Sequence, residues 1–109
     1  MSPLLYLAQR GTAMVLALAV ALHLGTIIYA VRGGLSASEI LARTQGNGAF
    51  FAFYIMFVIA AAIHVPIGLR SVLREWTGWR GRSLDIVMIA CALTLAVLGL
   101  RAAAAVFMK

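Results

Sequence analysis

Residues 49–75 read AFFAFYIMFVIAAAIHVPIGLRSVLRE, and this stretch decides what kind of molecule the chain makes. From Ala49 to Leu69 there are 21 residues without a formal charge. As one helix rising about 1.5 Å per residue, they cover the hydrocarbon core of a bilayer, ~30 Å thick. His64 therefore lies inside the membrane, about one and a half turns from the end marked by Arg70. An ionisable side chain there is costly, and by default it marks a functional site.

The rest of the chain has the same character. Of its 109 residues 64% are hydrophobic and 11% charged, too little polar surface to cover a water-soluble fold. The composition predicts an all-α integral membrane protein. The formal charge of +6 raises the question of nucleic acid, but the basic residues stand at the ends of apolar segments rather than on a polar face interleaved with aromatics. That distribution fits membrane anchoring and no nucleic-acid partner. The single Cys91 lies within an apolar run with no disulfide partner, and packing explains it.

Three transmembrane helices are expected, over about residues 4–32, 49–73 and 84–108, within one membrane-anchor domain spanning 1–109. A cleaved signal peptide is not expected, because no basic residue precedes the first apolar run and that run is too long. Ser36-Ala-Ser-Glu39 matches a capping box and predicts a short interfacial helix, ended by Gly46, Asn47 and Gly48. Trp76 and Trp79 suit the interface, and Ser83 with Asp85 suits the start of the third span, Ser83 as its N-cap. Arg101 interrupts that span, where it would snorkel or meet a partner subunit. No repeat, low-complexity linker or soluble domain is evident.

The connection after the second span carries Arg70, Arg74, Arg80 and Arg82, against Arg32 and Arg43 around the first, so the second should be cytoplasmic and the N-terminus inside. The first helix then carries His23 to about 22 Å above the cytoplasmic face, whereas His64 lies about 8 Å from it. Two histidines about 15 Å apart in height cannot share one metal ion, because an imidazole nitrogen must come within about 2 Å of the metal. They are expected to form two stacked sites, each needing a second ligand from another chain. Ala60, Ala61 and Gly68 share the helix face of His64 and leave room for a flat macrocycle, and Pro66 frees the carbonyl of Ala62. Around His23, Ala19 is small and Thr26 can hydrogen-bond, but Ile27 is bulky. The plainer alternative for each histidine is a hydrogen bond between helices of a bundle.

His64-Val-Pro-Ile-Gly68-Leu69-Arg70, with Glu75 following, resembles the H-x-x-x-G-[LI]-R-H-x-x-x-D signature of the cytochrome b membrane-anchor subunit of succinate dehydrogenase, the succinate:quinone oxidoreductase family. Gln9-Arg10-Gly11-Thr12 is similar to the H-R-x-[ST]-G of that family's first helix. Number and length of spans agree, so the resemblance covers nearly the whole chain.

The resemblance implies that His64 is an axial ligand of haem b near the cytoplasmic side, with Arg70 and Ser71 bordering the group. It implies that Arg10, with Tyr6 four residues before it, lines a quinone pocket for ubiquinone or menaquinone. His23 resembles the first-helix ligand of two-haem members, so one haem or two, shared with a partner chain, would be bound. Ser71 and Gln9 stand where the family has histidines, Tyr6 where it has serine, and Glu75 where it has aspartate. The chain has no carboxylate pair, flavin fingerprint or cysteine cluster with which to oxidise succinate. A flavoprotein and an iron–sulfur subunit would dock on the basic loop, and a second anchor subunit, or a second copy of this chain, would complete a heteromeric bundle in the bacterial cytoplasmic membrane. The resemblance thus points to electron transfer from the iron–sulfur subunit to membrane quinone. Two other readings stay open: a haem-free or fumarate reductase-type anchor, and a small transporter subunit, although no Asp or Glu lies inside a span to couple ions.

Overall fold

A chain in lipid must satisfy its backbone hydrogen bonds internally, and long apolar segments do so as helices. The computed structural model describes residues 2–108. Four helices follow in order: α1 Pro3–Gly33, α2 Ala37–Thr44, α3 Gly48–Thr77 and α4 Arg82–Met108. α1, α3 and α4, of 31, 30 and 27 residues, are each long and apolar enough to cross a bilayer, as the sequence leads one to expect.

The helix ends differ from expectation where local chemistry was stronger than the apolar count. α1 starts at Pro3, capped by the Ser2 hydroxyl accepting from Leu5 N–H; the proline suits the first helical position. α3 continues past Leu73 to Thr77, because Arg74, Glu75 and Trp76 are compatible with a helix and the first stop is Gly78, at φ 73°. Ser83 is not the N-cap of α4: it lies inside the first turn, where its hydroxyl accepts the indole N–H of Trp79 at 2.9 Å. Ser36 does cap α2, accepting from Glu39 N–H at 3.2 Å and donating to its carboxylate at 2.6 Å. Asn47 caps α3 by accepting from Ala49 and Phe50 N–H.

α3 is the central helix, with α1 on one side and α4 on the other. The pairs meet through small side chains: Ala19 in α1, Ala60 and Ala62 in α3 and Ala103 in α4 are all buried. Close approach of this kind is how helices associate where lipid is as apolar as leucine. Gly99 of α4 faces Val58 of α3 so closely that no Cβ would fit. Larger side chains such as Leu18, Leu22, Leu93 and Leu98 point outward, toward lipid or other chains. α3 runs through Pro66, which is buried beside Ala62.

α2 lies across the end of the bundle where α4 finishes. Thr44 donates to the carbonyl of Val106 at 2.8 Å and Gly46 N–H to that of Phe107 at 2.9 Å, satisfying carbonyls that the end of α4 leaves without helical partners. Phe51 packs on Phe107 with ring centroids 4.5 Å apart. Arg43 folds back to donate to Gly34 O at 2.6 Å and lies 5.4 Å from the Tyr29 ring centroid, which pins α2 to the end of α1.

Candidate functional site

From Gln9 onward along α1 the residues that are not freely exposed recur every three or four positions: Gln9, Thr12, Leu16, Ala19, His23, Thr26 and Ala30. This narrow stripe faces α3 and carries Gln9, Thr12 and His23. Near the N-terminal end of the bundle, Thr12 Oγ1 lies 3.3 Å from Nδ1 of His64. One turn away, the Gln9 side chain lies on Gly68, its Nε2 3.1 Å from where a Cβ would stand. The two stretches singled out in the sequence, residues 9–12 and 64–70, are thus in contact across one helix pair.

Thr12 also lies 2.7 Å from Ala8 O and 3.2 Å from Gln9 O. The alternative of a bundle hydrogen bond for His64 therefore holds for one ring nitrogen, and Nε2 makes no hydrogen bond among the described residues. Gln9 Oε1 is buried without a partner among them. Both are polar atoms that the described residues leave without a partner.

Arg70 turns away from this site. It sits about 120° around α3 from His64, and its Nε donates to Asp85 Oδ1 of α4 at 2.8 Å. Ser71, by contrast, shares the His64 face as the seventh residue on, and lines a polar recess of about 260 Å³ with Arg74, Glu75 and Arg80. Tyr6 and Arg10 lie one turn apart on the exposed side of α1. They share one helix face, and neither side chain makes a hydrogen bond to His64 among the described residues.

His23 lies eleven residues beyond Thr12 on α1, about 16 Å along the axis, so the two histidines occupy separate levels. Its ring meets Phe57 and Tyr54 edge-on at 5.4 and 6.0 Å between centroids. It makes no hydrogen bond among the described residues, and it lines a cavity of about 500 Å³ with Thr26, Tyr29, Arg43, Phe50 and Tyr54. Among the described residues no three His, Cys, Asp or Glu side chains cluster.

Sequence reasoning did not find the second large cavity, about 530 Å³, at the junction of α1, α3 and α4. Leu5, Ala62, Pro66, Met88 and the Arg70–Asp85 pair are among its walls. The pairing of Asp85 with Arg70 across the α3–α4 turn was the only signal available, and it requires the hairpin to be known.

No significant match is found among curated proteins or among solved structures. A family model described as the succinate dehydrogenase/fumarate reductase transmembrane subunit matches residues 3–105, and the chain belongs to that family.

Proposed function

We propose that the chain is the haem b-binding membrane anchor of a succinate:quinone oxidoreductase, lying in the bacterial cytoplasmic membrane with its N-terminus inside, and serving electron transfer from an iron–sulfur subunit to quinone. The observation that carries this reading is the contact of Thr12 with His64 Nδ1 at 3.3 Å. It leaves the other ring nitrogen for a ligand.

The residues present fit a haem. A metal-bound histidine ordinarily gives its second ring N–H to an oxygen, as His64 can to Thr12, and the orphaned Gln9 Oε1 stands in the same seam. His64 would be one axial ligand, and the other would come from a second anchor subunit or a second copy of this chain, since His23 is at another level. Haem bound here would supply a one-electron carrier beside the quinone route. Ser71, on the His64 face, would border its acidic edge, and Arg70, turned toward α4 and paired with Asp85, would act on it as a fixed charge at a distance. His23 would hold a second haem from its cavity; its edge-on contacts with Tyr54 and Phe57 support a second reading for that residue alone, as part of an aromatic core.

Arg10 and Tyr6 would receive quinone against another chain, because both point outward from the bundle. The fixed cation of Arg10 would stabilise negative charge developing on a quinone oxygen, and the Tyr6 phenol can donate a hydrogen bond to it. Ubiquinone and menaquinone both offer carbonyl oxygens to such donors. The exposed Arg80 and Arg82, with Arg74, would meet the iron–sulfur and flavoprotein subunits.

Haem per polypeptide, measured by pyridine haemochrome on the purified complex and on His64→Ala and His23→Ala variants, tests the proposal. Two haems, one lost with each substitution, are expected. One haem lost only with His64→Ala leaves His23 to packing, and none in the unaltered complex overturns the cytochrome reading in favour of a haem-free anchor.

A further inference from the structure

A hydroxyl has one proton to give and can accept two hydrogen bonds. Thr12 Oγ1 has three neighbours: Ala8 O at 2.7 Å, Gln9 O at 3.2 Å and His64 Nδ1 at 3.3 Å. Both carbonyls can only accept, and the shorter contact takes the proton, as serine and threonine hydroxyls in helices commonly do toward the carbonyl four residues back. The oxygen then faces His64 with its lone pairs, so the hydrogen on that contact must come from the imidazole. The hydrogen bond made by one ring nitrogen decides the state of the other.

From this we infer that Thr12 is a positioning residue that fixes His64 in its Nδ1–H tautomer, leaving Nε2 bare on the opposite side of the ring. The inference deepens the haem reading above and rests on it for its purpose, though the tautomer itself does not depend on haem. The small residues around the contact hold the geometry: Ala60, one turn from His64, is buried, and Gly68, one turn on, admits the Gln9 side chain.

The test is nitrogen-15 NMR of the haem-free full-length chain, labelled at histidine, in phosphatidylcholine nanodiscs. A protonated-type Nδ1 with an unprotonated-type Nε2 at His64 is expected, and Thr12→Val, which keeps the shape and removes the hydroxyl, should lose that single-tautomer pattern while Thr12→Ser retains it. In the purified complex Thr12→Val should raise the haem midpoint potential, because an imidazole without its hydrogen-bond acceptor is a poorer donor to ferric iron, and Thr12→Ser should restore it. Nε2–H in the unaltered chain overturns the inference, as does a tautomer pattern unchanged in Thr12→Val. Should Thr12→Val not fold, the unaltered chain and Thr12→Ser decide the matter from the first spectrum. A complex without haem refutes the preceding proposal and leaves the tautomer result standing.

Discussion

Gly68 of α3 lies against the Gln9 side chain of α1, with 3.1 Å between the Gln9 amide nitrogen and the place a Cβ would take. The neighbour is the tip of a flexible side chain, so a methyl group can be admitted by a small shift, whereas a branched side chain cannot. Gly68→Ala should hold complex stability to within about 1 kcal/mol, and Gly68→Leu should cost about 1–3 kcal/mol by overpacking. Thermal unfolding in detergent, followed by circular dichroism, compares the two. Equal behaviour would mean that α1 and α3 are not closely packed here.

The approach of α4 to α3 is less forgiving. A Cβ on Gly99 would stand 2.5 and 2.7 Å from the two methyl carbons of Val58, and a valine in a helix is held in essentially one rotamer. Gly99→Ala should therefore push the helices apart at a cost of about 1–3 kcal/mol, and Val58→Ala should recover most of that in the double variant. Additive losses in the double-mutant cycle would show that the two sites do not touch.

The end of α4 is held from outside itself. Thr44 is buried and donates to Val106 O, so Thr44→Val keeps the volume and leaves a carbonyl without its donor, at about 1 kcal/mol. Faster amide exchange confined to the last turn of α4 is the expected reading. Unchanged exchange would show that the Gly46 N–H bond to Phe107 O suffices.

The spans were legible in the sequence because length and apolarity alone specify them, and the separate levels of His23 and His64 followed from counting residues along helices of opposite direction. What could not be read is rotational. His64 and Arg70 are six residues apart in one motif, yet α3 turns one to α1 and the other to α4, and only packing tells which neighbour each meets. Thr12 was visible as a motif member but not as the partner of His64, a contact made across 52 positions of chain. Arg43, which reaches back from α2 to the Gly34 carbonyl, is one wall of the cavity at His23, a placement set by one side chain reaching one carbonyl. Ser83 misled for a related reason: Trp79 supplied a donor to its hydroxyl that no capping pattern anticipates.

Arg70 and Asp85 give the last prediction. Their side chains are 26% and 51% exposed at a separation of 2.8 Å, and an ion pair this open contributes less than about 1 kcal/mol. As a clip across the α3–α4 turn, it should be lost with little effect on stability in either Arg70→Gln or Asp85→Asn, and the loss should shrink further in high salt. The two variants should separate on haem. Arg70→Gln removes a fixed cation about one and a half turns along α3 from His64, so the midpoint potential should fall. Asp85→Asn frees that cation, so the potential should hold or rise. Redox titration of the two complexes measures both, and equal potentials would limit Arg70 to clipping α3 to α4, leaving the acidic edge of the haem to Ser71 and the arginines beyond it.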